Sequence, residues 1–136
     1  MRLVLDTNVF ASALLWLGPP RQLLDLAQTG NVSLFSSLPL LAELTGILSR
    51  AKFEKKIAAS QLSVDQLVDF YAELVALVRP ISISRLAPDD DVVIGTALAA
   101  KADLLVTGDR ALLSIAEYEG GRVVSVSEAL RAAASI

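Results

Sequence analysis

With 136 residues, 54% of them hydrophobic, the chain is long and apolar enough for one packed domain and too apolar for general disorder. It has no cysteine and no histidine, which excludes disulfides, thiol nucleophiles, Ser-His-Asp triads and nearly every structural zinc site. The formal charge of -3 argues mildly against a nucleic-acid partner, although the sum hides how the charges are distributed.

The apolar stretches are short, and none approaches the roughly 20 residues of a membrane helix. Met1 to Leu5 leads straight into an acid, without the apolar core of a signal peptide. A soluble, cytoplasmic protein with no membrane partner is expected. Residues 2–5 read as a buried strand followed by the polar turn Asp6-Thr7-Asn8. A helical apolar stretch over 9–17 stops at Gly18-Pro19-Pro20, and a second helix fits 21–28, with Gly30 as its stop. Residues 32–35 are the next strand. Ser36-Ser37 then leads to Pro39, favoured in a first helical turn, and that helix runs to about residue 50.

The stretch 50–56 carries Arg50, Lys52, Lys55 and Lys56 and is the most basic of the chain. An amphipathic helix spans 63–78, with Ser63 as N-cap and Asp65 and Gln66 in its first turn. Pro80 ends it, and residues 81–83 suggest a short strand. A helix over 89–101 opens with three acids. Residues 104–107 form a strand ending at Gly108-Asp109, and a short helix follows. After Gly120-Gly121 comes a strand over 122–126, and Ser127 caps the final helix with Glu128 in its first turn.

Strands alternate with helices, and the strands are apolar with no clear period of two. That pattern predicts an α/β fold, a parallel sheet of four to five strands covered by helices on both faces. No repeat or linker interrupts it, so residues 1–136 are read as a single domain. Ligands in such sheets sit outside the carboxyl ends of the strands. Asp6 and Asp109 both follow directly after a strand.

Each acid has an ordinary alternative. Asp6 suits a turn or cap, and Asp109 a turn or the N-cap of the next helix. Asn8 stands where an Asp-x-Asp phosphatase would need an acid. Glu43 borders the apolar face formed by Leu40, Leu44, Ile47 and Leu48, a costly place for an unpaired carboxylate, though Arg50 or Lys52 can pair with it. Asp89-Asp90-Asp91 opens a helix, where acids complement the dipole. Successive residues differ by about 100°, so the three point apart. Relative to the stripe Val93, Ile94, Ala97 and Leu98, Asp90 falls near the middle, Asp91 at one edge and Asp89 on the other side, as the cap.

Jointly, these acids fall where a doubly wound sheet brings them to one rim. Such crowding is unfavourable without a cation, because like carboxylates raise each other's pKa. Carboxylate oxygens are hard ligands, which favours Mg²⁺ or Mn²⁺. A divalent ion then allows phosphoryl hydrolysis without histidine or cysteine. Setting aside Asp6, Glu43, Asp90, Asp91 and Asp109 leaves ten acids against twelve bases, a balance compatible with a phosphate substrate.

The motifs Leu3-Val4-Leu5-Asp6-Thr7-Asn8, Glu43 after a Ser-Ser-x-Pro turn, Asp90-Asp91-Val92-Val93-Ile94-Gly95-Thr96-Ala97 and Leu105-Val106-Thr107-Gly108-Asp109 together resemble the PIN domain. The likeness runs from residue 2 to about 126 and is strongest to the VapC-type toxins of toxin–antitoxin pairs. The resemblance implies a three-layer α/β/α fold, RNA cleavage dependent on Mg²⁺ or Mn²⁺, and a cognate antitoxin. It also implies Asp6, Glu43, Asp90 and Asp109 as catalytic acids. Asp6, Asp90 and Asp109 are the implied metal ligands, with Asp91 the alternative to Asp90, and Asn8 and Thr107 are the implied supports.

Arg50, Lys52, Lys55 and Lys56 are candidates to contact the RNA backbone, or form an ordinary solvated face. A non-catalytic RNA-binding or protein-interaction module and a structure-specific DNA nuclease are the alternative functions. The helix over 63–78 and the region of Trp16 are candidate homodimer or antitoxin surfaces, or simply core.

Overall fold

Leu3-Val4-Leu5 has no polar face because it is buried on both sides: Leu3 and Leu5 enter one core and Val4 the other. These residues belong to β1 (Arg2–Leu5), the centre of the sheet. The protein is described by a computed structural model, over residues 1–84 and 86–135. β1 leads to α1 (Thr7–Leu15), α2 (Pro19–Gln28), β2 (Ser33–Ser36) and α3 (Leu38–Leu48). A 3-10 turn (Ala51–Phe53), α4 (Glu54–Ser60), α5 (Val64–Leu74) and β3 (Ala76–Leu77) follow. α6 (Pro88–Ala100), β4 (Leu104–Val106), α7 (Arg110–Leu113), β5 (Glu117–Tyr118), β6 (Gly121–Val124) and α8 (Val126–Ala134) complete the order.

The sheet has six strands in the order β3-β2-β1-β4-β6-β5. The first five in that order pair in parallel, and β5 pairs antiparallel with β6 at the edge. One face carries α1, α2, α3, α5 and α8, packed on Leu3, Leu5, Leu34, Leu104 and Val106. The other carries α6 and α7, packed on Val4, Leu105 and Val123. This is the expected three-layer α/β/α arrangement. Among the described residues, no helix is long and apolar enough to cross a membrane.

Several boundaries differ from the sequence reading, each for a local reason. The sheet exceeds four to five strands because two-residue edge strands join it at both ends. Ala76–Leu77, read as the end of a helix, pairs with Phe35 and Ser36 instead. Residues 81–83 are not a strand. The Ile81 amide donates to the Gly95 carbonyl of α6 at 3.0 Å, so this segment straps a helix rather than extending the sheet. Gly95 permits that approach, since a Cβ there would overlap the Ile81 carbonyl oxygen.

α6 starts at Pro88 with Ala87 at the N-cap, so Asp89 is not the cap; proline suits the first helical position. The final helix is capped by Ser125 rather than Ser127. Ser125 and Glu128 stand three apart and form a reciprocal capping box, which cuts the preceding strand at Val124. α1 begins two residues early because Asp6 caps it: Asp6 Oδ1 accepts from the Thr7 amide at 2.8 Å.

Candidate active site

From β1 the chain moves outward through β2 to β3, then crosses back to place β4 on β1's other side. The crevice between β1 and β4 is therefore the topological switch point, where ligands of such sheets bind. Asp6 extends β1 into this crevice, its amide donating to the Val106 carbonyl at 2.8 Å. Thr107 extends β4 likewise, donating to Val124 at 3.0 Å.

Thr107 is fully buried and joins two of the acids. Its hydroxyl donates to Asp6 Oδ2 at 2.7 Å and accepts from the Asp109 amide at 3.0 Å. Asp109 then caps α7, its Oδ1 accepting from Ala111 and Leu112. The cap reading of Asp6 and Asp109 is thus correct as far as it goes. A cap uses one carboxylate oxygen, and the strand-end position turns the group towards the crevice.

Glu43 reaches the same rim from α3 and Asp90 from the first turn of α6; each is half-buried. Burial raises the pKa of Asp6, partly offset by the bonds from Thr107 and Thr7 and reinforced by the Asp109 charge. Burial likewise raises Glu43, with Asp89 and Asp6 adding repulsion and Thr7 and Arg50 easing it. Asp90 is raised by burial first and then by Asp109, Asp6, Asp89 and Asp91. Carboxylates from four separate elements therefore act on one another across this crevice.

Two comparisons bear on the fold that builds the rim. The sequence signature of the PIN domain matches residues 2–111. The chain belongs to the PIN domain family. Among solved structures, VapBC2 from Rickettsia felis bound to a DNA fragment from their promoter is similar, with a TM-score of 0.60 at 19% identity. The likeness covers 92% of this chain and 98% of that one. No curated protein matches the sequence significantly.

In this PIN domain the second and third aspartates of the α6 triplet differ in position. Asp91 is the more buried, contrary to the helical-wheel placement of Asp90 at the centre of the buried stripe. Asp91 Oδ1 accepts from the Leu86 amide at 2.8 Å, so it anchors the chain leading into α6. The wheel erred because the strap laid across α6 covers the flank that carries Asp91. Asp90 feels the charges of Asp109 and Asp6.

The donor set is oxygen only, which suits Mg²⁺ or Mn²⁺. Among the described residues, no three acids already form a ready ligand group. Thr7 Oγ1 is buried beside Glu43 without a properly formed hydrogen bond, a costly state for a hydroxyl that a further polar partner in the crevice would relieve.

Asn8 sits exposed in the first turn of α1, and among the described residues the hydrogen bonds to Asp6 come from Thr7 and Thr107. Sequence reasoning passed over Ser37 and Thr96. Their hydroxyls lie 2.9 Å apart, fully buried, and Thr96 also donates to the Val92 carbonyl at 2.7 Å. This clasp ties the start of α3, which carries Glu43, to α6, which carries Asp90. The sequence signal was the Ser of the Ser-x-Pro helix start and the Thr of the Gly-Thr-Ala run.

The basic candidates Arg50, Lys52, Lys55 and Lys56 are all exposed, around the 3-10 turn and on α4. Of the candidate partner surfaces, α5 buries Leu67 and Tyr71 in the core and leaves Phe70 exposed. Phe70 edges a groove of about 290 Å³ lined also by Leu14, Leu24 and Leu62.

Proposed function

We propose that this PIN domain protein is a metal-dependent endoribonuclease and the toxin of a toxin–antitoxin pair. The observation that supports the nuclease reading is the Thr107 hydroxyl, which joins Asp6 and the Asp109 backbone at the switch point of the sheet, with Asp90 near enough for its charge to act on both acids. These three, with Asp91 as the alternative to Asp90, would hold Mg²⁺ or Mn²⁺, and Glu43 would act as ligand or as base through water. A bound divalent ion supplies an activated water near neutral pH and offsets phosphoryl charge.

The chain's own residues do the rest. Thr107 fixes the orientation of Asp6 and sets the turn that presents Asp109. Burial holds Glu43 at a raised pKa, which makes it a better proton acceptor than an exposed carboxylate. Arg50, near Glu43, and the lysines beyond it would meet the RNA backbone. The likeness in fold to VapBC2 supports the antitoxin partner, and the exposed apolar groove beside α5 leaves surface for one or for a second copy.

Purified protein incubated with a single-stranded RNA and with DNA of the same sequence tests this reading. Cleavage of the RNA alone, dependent on Mg²⁺ or Mn²⁺ and stopped by EDTA, is expected. Metal-independent cleavage, or equal attack on the DNA, would overturn it. Expression of the chain alone should arrest bacterial growth, and a short neighbouring reading frame should relieve the arrest.

A further inference from the structure

Trp16, the single tryptophan, ends α1 and is 38% exposed. Its ring stands edge-on against Phe53, centroids 5.7 Å apart, so its orientation is fixed by packing. Each ring carries a cation over one face: Lys56 Nζ lies over Trp16, 5.3 Å from its centroid, and Lys52 Nζ over Phe53, 5.0 Å from its centroid, so a base would stack on the Trp16 face away from Lys56 or displace that flexible side chain. Residues 50–56 hold four exposed cations against one exposed acid, Glu54. Arg50, the first of them, caps the 3-10 turn that follows α3, the helix that carries Glu43, so the basic stretch leads on from that helix.

An exposed ring bordered by cations is what single-stranded nucleic acids use: bases stack on the ring and phosphates meet the charges. A partner with an apolar face would instead bury Lys52 and Lys56 with only the two rings to offset their charge, at a desolvation cost. We propose that Trp16, with Lys52 and Lys56, is a base-stacking subsite for single-stranded RNA that continues the substrate path from the acidic rim past Arg50. This rests on the ribonuclease reading for what the rim does, and the test separates the two.

Because Trp16 is the only tryptophan, the emission of the unmodified chain reports this position alone. A single-stranded RNA decamer is titrated in EDTA, so that nothing is cleaved, while a labelled copy reports binding by anisotropy. Emission should change in step with anisotropy. The salt dependence should have a log–log slope of about -2, from roughly 0.7 per phosphate contact for Arg50, Lys52 and Lys56. Lys56→Gln should reduce the slope by about 0.7 and leave the fold intact. Trp16→Ala should weaken binding roughly 5- to 150-fold, and Trp16→Phe, which keeps a ring against Phe53, should retain most of the affinity.

Unchanged emission at saturating RNA would place the RNA elsewhere and overturn the subsite, with the ribonuclease reading untouched. Emission that depends on protein concentration without RNA would assign Trp16 to a contact between copies and likewise overturn it. Failure to bind, together with failure to cleave in Mn²⁺, would overturn both readings.

Discussion

Thr107→Val removes the hydroxyl that joins Asp6 to Asp109 while keeping the branched shape that fills the buried position. A hydrogen bond to a charged group contributes about 1.5–3 kcal/mol, and the amide of Asp109 left without its partner costs about 1 more. A loss of roughly 2.5–4 kcal/mol at pH 7 follows, a large share of the 5–15 kcal/mol typical of a domain. The loss should depend on pH. Burial raises Asp6 above the ordinary 3.8, so its ionisation opposes folding as pH rises through the raised value. The Thr107 bond offsets part of that opposition. Without it the folded pKa rises further, and the variant loses more stability over the same climb. The gap between the two proteins should therefore narrow at acid pH towards the roughly 1 kcal/mol cost of the Asp109 amide and widen from about 3.8 towards neutrality. Urea unfolding in EDTA across this range measures the gap. A difference below about 0.5 kcal/mol at pH 7, or one that does not change with pH, would refute the assigned bridge.

Further tests address the rest of the site. Asp90→Ala should cut RNA cleavage at least about 100-fold with little loss of stability. Asp91→Ala should instead cost about 1–2 kcal/mol, because Leu86 loses its acceptor, and should keep measurable cleavage; the reverse pattern would exchange their roles. Gly95→Ala should destabilise by about 1–3 kcal/mol in thermal melts, since overlap with the Ile81 carbonyl outweighs the roughly 1 kcal/mol gain in helix propensity. A stabilised variant would mean that the strap is easily displaced. Mn²⁺ at about 100 times its Kd should stabilise the wild-type chain by about 2.7 kcal/mol, a rise in Tm of roughly 10 °C that EDTA reverses. No shift at any Mn²⁺ concentration would contradict the carboxylate site.

The parts of the structure legible in the sequence are those set by local pattern. Asp6 and Asp109 stood out because an apolar run breaks at an acid, and both lie at strand ends. The capping roles first offered against them proved compatible with the crevice position. What could not be read depends on neighbours distant in sequence. Ile81-Ser82-Ile83-Ser84 alternates like a strand, but its amide meets Gly95 of a helix, and only the packed fold supplies that partner. Ala76–Leu77 is a strand solely because β2 lies beside it. Ser37 and Thr96 are 59 residues apart, and two small hydroxyls give no sign of a shared bond until their helices meet. The burial of Asp90 and Asp91 also depends on neighbours outside the helix: the wheel ranked it wrongly, because the chain leading into α6 packs on Asp91, whose carboxylate accepts from Leu86.

The central claim is that Asp6 belongs to a cation-dependent centre for RNA hydrolysis, and Asp6→Asn in the Mn²⁺ cleavage assay tests it most directly. The substitution keeps the size of the side chain and an oxygen able to accept from Thr7 or Thr107. A variant that melts as one cooperative unit but cleaves single-stranded RNA at least about 100-fold more slowly is the predicted result. Full cleavage by a folded Asp6→Asn protein would contradict it.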